Sequence, residues 1–456
     1  MDYAVLPQLA DVVDRAIFAR TEAADYDGNA SVTDMVDGDS QTITAGQSGT
    51  VSTMSGGKQN ISSGGTGTIS TMSGGFQNIY GGSGTVIDMD GGGLTISSGG
   101  NGTVSTMSAG WQEIKDGGTG TVSTMLAKYG YQGIHGGTGT VNVMSSGAQY
   151  VNGGTGTVST MSGGSQTISS GGTGTVSTML SGTQSISNGG VGSALGVLGG
   201  QQLINSGGIG YVESLTSNQV ISSGGTGIIE TIAAGETWTL TAGQTGIANS
   251  MSGSQVIASG GTGTVDIMSG GSQTIVSGAS GTINTMHDGM QAISSGCTGT
   301  VSAMNGGTQA VNSGGTALDT VIAGGTQLVS GGAVISGATL SAGVQQVYDG
   351  TNLNNITFAG GTQAVMSGAA VSGMQVANGV QSIASGGSAA DTVVSAGGTN
   401  DSLRKHNDYG DTWFELGLGA NIKVSKTASI YGEIERGFGG DINKKWSVNG
   451  GVRFTF

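Results

Sequence analysis

The sequence predicts an all-β fold: a right-handed parallel β-solenoid (β-helix) of about twenty coils, followed by a short segment of antiparallel strands. Three observations carry that prediction. Glycine supplies 94 of the 456 residues while proline supplies one, the glycines recur at a fixed interval, and the runs between them are β-branched. Without a period the same composition would read as low complexity; with one it describes a coil that stacks on its neighbours.

The period is plain from Gly49 onward. The phrase G-T-V-S-T-M places Met54, Met72, Met89, Met107, Met125, Met144, Met161 and Met179 at spacings of 17 to 19 residues, and the column resumes at Met251, Met268, Met286 and Met304. A second phrase, x-Q-x-[IV]-x-x-G-G, alternates with it and carries Gln59, Gln77, Gln112, Gln132, Gln149, Gln166 and their successors through Gln327. Such a period is too short for paired helices, so each repeat is one coil with Gly-Gly at its corners, where positive φ is needed. Side chains alternate along a strand, so Gln and the apolar residue two places on share a face. The positions beside Gln vary freely and therefore face solvent. Gln is thus expected inside, as a ladder in which each amide bonds to the next coil. The Met and Val/Ile columns form the apolar core, Met acting as a gap filler. After Thr320 the register loosens. Gln345, Gln363 and Gln381 persist but the G-T-V-S-T-M phrase is gone, and degenerate coils are expected to about Asn400.

Three domains follow. Residues 1–38 form an N-terminal segment in which Leu6, Leu9, Val12, Val13, Ile17 and Phe18 recur at helical spacing and Pro7 suits a first turn, a short amphipathic helix that caps the stack, with a partner-binding helix as the other reading. Residues 39–400 are the solenoid. Residues 401–456 differ in composition, with charges and aromatics returning. The first twenty residues lack a basic n-region followed by an apolar run, so no secretory signal is visible there, and no stretch of eighteen apolar residues occurs.

Charge and scattered reactive residues limit the function classes. The formal net charge is −15 with only 13 Lys and Arg, which leaves no basic face for a phosphate backbone; nucleic acid is not an expected partner. The single Cys297 cannot pair internally and reads as a tolerated small residue in a repeat slot. A polysaccharide-active solenoid enzyme needs clustered carboxylates. Here Asp and Glu are scattered and His135, His287 and His406 lie far apart in sequence. The calcium phrase G-G-x-G-x-D is not completed at Gly81-Gly82-Ser83-Gly84-Thr85. No catalytic residue, metal or cofactor is expected. An ice-binding solenoid, with T-x-T ranks as at Thr66 and Thr68, is a distant alternative.

Two outward columns are the candidate surfaces. Phe76, Trp111 and Tyr131 fall on the solvent side of nearby coils and suit sugar or protein contact, with coil-to-coil stacking as the other reading. The hydroxyls of Thr68, Ser70, Thr103, Ser105, Thr121, Ser123, Thr157, Ser159, Thr175 and Ser177 form a second column, fit for self-association or simply for a solvated strand.

From Asp401 three runs alternate polar and apolar residues: Thr412 to Val424, Thr427 to Glu435, and Lys445 to Phe456. Their length, alternation and aromatics match outer-membrane barrel strands, and a soluble antiparallel sheet fits as well. The ending Y-G-E-I-E-R-G-F-G-G-D-I-N-K-K-W-S-V-N-G-G-V-R-F-T-F (Tyr431 to Phe456) resembles the last strands of the classical autotransporter β-domain. The phrases S-G-G-x-Q-x-I and G-G-T-G-T-V-S resemble the repeats of AIDA-type self-associating autotransporter adhesins. The resemblance runs from about residue 40 to the end.

It implies a non-catalytic passenger displayed at the cell surface from the outer membrane, acting in adhesion, cell aggregation and biofilm. Its partners would be host-cell surfaces or the same protein on neighbouring cells. Phe454 and Phe456 would be the signal read by the barrel assembly machinery, and the Thr/Ser column would be open to glycosylation before export. Two departures stand out. The family's barrel has twelve strands, whereas the 56 residues from Asp401 leave room for about three, and an unclosed barrel leaves strand edges unpaired in lipid. The family's signal peptide is also not seen. A truncated, non-exported remnant is therefore the alternative reading.

Overall fold

The computed structural model describes residues 23–215, 218–394, 398–402, 404–408, 411–423, 428–438 and 447–454. The helix expected between Leu6 and Phe18 lies outside them. The chain divides into two compact units, 1–225 and 226–456. Both contain parallel β-solenoid coils, about twenty in all, and the second also holds an antiparallel sheet.

In the first unit the coil beginning at Thr155 shows the design. Its long strand, Thr155–Met161, pairs in parallel with Thr173–Met179, Met on Met and Val on Val. Its short strand, Ser165–Ser169, pairs with Thr183–Ile186, Gln on Gln and Ile on Ile. Between coils the chain turns tightly. Ser170 and Gly171 both have positive φ, and the Gly172 amide donates to the Ser169 carbonyl at 2.9 Å, the geometry of a type I′ turn.

The interior follows from which side chains fit. Val158, Met161, Gln166 and Ile168 have no exposed surface. Strict alternation from Val158 would send Met161 outward, yet Ser159 and Thr160 are both outward and Met161 is inside. The strand bends at Ser159, which the register passes over between Val158↔Val176 and Thr160↔Thr178. That bend lets Val and Met, three residues apart, share the core. Gly156 is also inward, and a Cβ there would press on Val151 Cγ2 and Gln149 Oε1. The glycine of T-G-T-V is thus a packing requirement set by the large neighbours it faces.

Gln166 Nε2 donates to Gln149 Oε1 at 2.6 Å, and its own Oε1 accepts from Gln184 Nε2 at 2.7 Å. The expected ladder runs in this way from Gln112 to Gln219 and from Gln41 to Gln77. Leu94 breaks it, sitting opposite both Gln77 and Gln112. Gln77 Oε1 is buried without a partner as a result. Among the described residues, parallel pairing in this unit starts at Asp25–Tyr26, which pairs with Ser40–Gln41.

In the second unit Trp238 occupies a ladder position opposite Gln255, and from Gln255 the amides connect to Gln381 with N···O distances of 2.6 to 3.0 Å. After Thr320 the Gln strands stay paired residue for residue, while the long strand is split in two, as at Thr316–Leu318 and Val321–Ile322, and the pairing shifts register between Phe358 and Thr362. The break is a residue of positive φ, and it recurs every 18 residues: Asp319, Gly337, Asn355, Gly373 and Asp391. Asp, Asn and Gly are the residues that tolerate this left-handed conformation best. The solenoid pairing ends at Gly398–Ser402.

Beyond it lies a four-stranded antiparallel sheet, Arg404–Asp408, Asp411–Lys423, Ala428–Phe438 and Ser447–Phe454. Three of these strands overlap the expected runs; the Arg404–Asp408 strand was not expected.

Candidate binding surface

The short strands present three outward positions per coil, before Gln and at the first and third residues after it. In the first unit the first column reads Lys58, Phe76, Gly93, Trp111, Tyr131 and Ala148 in paired register. Phe76, Trp111 and Tyr131 therefore share one column, as the sequence suggests, with Gly93 between the first two. That glycine matters. The atoms nearest to a Cβ at Gly93 all belong to the Trp111 indole. The indole lies across the vacant slot and reaches Phe76, with ring centroids 6.1 Å apart and planes tilted by 50°. Phe76 remains 42 % exposed, so this aromatic pair forms an outward platform.

The adjoining column reads Glu113, Gly133 and Tyr150, and a second glycine vacancy is filled in the same way. A Cβ at Gly133 would lie 2.6 Å from Glu113 Oε1, so the carboxylate lies over Gly133. There it accepts from His135 Nε2 at 2.8 Å and from the Tyr131 hydroxyl. Tyr131 packs edge-on against Tyr150, centroids 5.9 Å apart. Partial burial, then the Glu113 charge and hydrogen bond, raise the Tyr131 pKa above its usual value because all three favour the neutral phenol. Tyr150, Glu113 and His135 belong to this surface although one column of aromatics did not single them out. The signal was there: each keeps the same parity from its Gln as an already chosen neighbour.

The Thr/Ser candidates lie on the other strand of each coil. Thr103, Thr121, Thr157 and Thr175 are brought into one continuous register column through Thr140, and Thr68 joins it through Thr85. Ser70, Ser105, Ser123, Ser159 and Ser177 occupy the bend, with Ser70 the most open of them. Phe454 ends the last strand opposite Ala428, and Phe456 lies outside the described residues. Cys297 is buried at a corner as a free thiol. Among the described residues no three His, Cys, Asp or Glu gather as a metal site would require.

No family model matches the chain, and no curated protein matches it. Among solved structures it is similar to the TibC-catalysed hyper-glycosylated TibA 55–350 fragment, at 24 % identity over 83 % of this chain and all of that one, with a TM-score of 0.18. At that score the likeness carries no argument about function.

Proposed function

We propose that this chain is the right-handed solenoid passenger of an autotransporter-type adhesin, a non-catalytic surface protein that promotes adhesion and self-association of cells. The observation that carries the reading is the register itself. Coil after coil, the same outward positions are held in line by an interior of Gln, Ile, Val and Met. A surface of that kind repeats a weak contact many times, and multivalency turns weak contacts into firm attachment.

The repeat phrases and the alternating terminal strands support the autotransporter part of the reading. On it, the antiparallel strands after Arg404 are the last strands of an outer-membrane barrel, and Phe454 with Phe456 are the assembly signal. The aligned threonines are the candidate positions for glycosylation or for contact with a second copy, and Phe76, Trp111 and Tyr131 are the candidate receptor face. The test is display. The chain is expressed behind a secretion signal with a complete barrel, intact cells are probed with a passenger antibody, and settling is scored. Surface signal with faster settling is the expected result. Surface signal with unchanged settling and unchanged attachment to host cells would overturn it.

A further inference from the structure

The aromatic face of the first unit continues into an open depression of about 340 Å³, a size at the lower end of small-molecule sites, roughly 300–1,000 Å³. The corner glycines Gly38, Gly57 and Gly75 line it beside the Lys58–Phe76 column. Phe76 is one wall; Asp37, Ser40 and Lys58 supply polar groups. Asp37 and Lys58 are both exposed, and the Ser40 hydroxyl donates to Asp25 at 2.8 Å while keeping its lone pairs for a further donor. Next to Phe76, on the same face, the Asn78 amide donates to Asn60 Oδ1 at 2.9 Å. The depression thus offers one cation, Lys58, the exposed carboxylate of Asp37, the buried carboxylate of Asp39 and a hydroxyl beside an aromatic step, with the Asn60–Asn78 amides alongside it.

We propose that this face binds a neutral oligosaccharide, with one sugar ring in the depression at Lys58 and the following rings stacked along Phe76 and Trp111. The proposal rests on the adhesive reading above and names the ligand class of its aromatic face. A pyranose ring presents a face of C–H bonds and an edge of hydroxyls that both donate and accept. Phe76 and Trp111 match the first, and the mixed groups of the depression match the second. An anionic ligand is disfavoured, since Asp37 and the buried Asp39 outweigh Lys58 locally and the whole chain carries a net charge of −15. A protein partner is disfavoured because an interface centre is depleted of charged side chains, whereas Lys58, Asp37 and Glu113 alternate with the rings here.

The test uses the purified full-length chain, titrated with cellohexaose, chitohexaose and maltohexaose, and with a hexamer of galacturonate as the anionic control. Saturable binding of at least one neutral probe is expected, weakened about tenfold by Trp111→Ala, the loss of one well-used aromatic contact. Gly93→Ser provides a second variant. It keeps the indole but puts a side chain where the indole rests, and it is expected to weaken binding as well. Both variants are accepted only with parental circular dichroism and melting temperature, and Gly93→Ser alone decides if Trp111→Ala fails to fold. Absence of saturation with all three neutral probes, preference for the galacturonate hexamer, or parental affinity in the folded variants would each overturn the proposal. Displayed cells separate this failure from that of the adhesive reading. Settling that persists without saccharide binding refutes only the glycan site, and saccharide binding without settling or attachment refutes only the adhesive reading.

Discussion

The coils around Thr155 and those after Thr316 solve the same packing problem in two ways. In the earlier kind the long strand sends inward a glycine, a Val and a Met, as at Gly174, Val176 and Met179. In the later kind the matching positions carry Ala317, then Thr320, then Ile322. The middle inward residue has moved one place along the chain. Asp319 stands where register would put the Val, and its positive φ resets the alternation so that Thr320 turns in. Bulk moves with it. The glycine position becomes Ala317, Ile335 and Leu353, while the Met position becomes Ile322, Leu340, Phe358 and Val376. One interior, with the Gln ladder unchanged, is filled from different places. Total volume and patterning are what such a core requires, and the identity at each position is negotiable.

The comparison is broken most severely by exchanging the filling. Gly174→Val places a side chain against Ile168 Cγ1 and Gln166 Oε1, which lie 2.6 and 2.9 Å from even a bare Cβ. It is expected to destabilise by about 3 kcal/mol, the upper part of the overpacking range. Ile335→Ala at the corresponding place of a later coil leaves a void instead, at roughly 2–5 kcal/mol. Thermal unfolding of both variants checks this. A harmless Gly174→Val would show that the glycine is not a packing requirement.

The break in the later strands gives the next largest effect. Gly337 has φ +77°, and a Cβ there would collide with the Asp319 carboxylate. Gly337→Val combines that clash with a β-branched residue in the left-handed region, about 1–3 kcal/mol of strain. Gly337→Asn, the residue type used at Asn355, should lose less. Equal melting temperatures for the two variants would refute the account of the split strand.

Both kinds of coil were legible in the sequence to different depths. Gln and the Ile or Val two places on obey simple parity over a short strand, so the ladder and half the core could be read directly. The Met column could be assigned to the core only from its repetition, because the bend at Ser159 and its equivalents violates parity. The later coils lack the G-T-V-S-T-M phrase because that phrase is one of side-chain identity, and identity is what their core exchanges. Asp319, Gly337, Asn355, Gly373 and Asp391 stand at an even 18-residue spacing, a sharper period than the Met column that was followed. On the surface, the membership of Phe76, Trp111 and Tyr131 in one column was readable. That Trp111 would reach Phe76 was not, since it depends on a neighbour, Gly93, contributing nothing.

The ladder common to both kinds of coil allows a smaller test. Gln166→Leu would leave Gln149 Oε1 without its donor, as Leu94 leaves Gln77 Oε1, and should cost about 1–3 kcal/mol, the range for one unsatisfied buried group. Leu94→Gln is the converse. It would join the two ladder segments of the first unit and is expected to stabilise by about 0.5–1.5 kcal/mol. A melting temperature that falls in Leu94→Gln would mean that the apolar packing of Leu94 outweighs the restored hydrogen bonds.

The smallest expected effect lies on the outer face, where the two kinds of coil also differ. The positions before Gln in the later coils are Thr326, Val344 and Thr362, none of which titrates, whereas the earlier coils hold Tyr131 against Glu113. The Tyr131 pKa is raised above the ordinary tyrosine value, by burial first and by Glu113 second. The folded chain therefore keeps its proton at a pH where the unfolded chain has released it. This stabilisation is complete below about pH 10, the unfolded value, and is lost as pH rises from there through the raised folded value. The melting temperature should accordingly fall between pH 10 and the raised value more steeply in the parent than in Tyr131→Phe. Glu113→Gln, which removes the charge but keeps a hydrogen-bond acceptor, should lie between them. Coincident pH profiles for all three proteins would show that the Glu113–Tyr131 contact is not formed in solution, and would remove one edge of the proposed binding face.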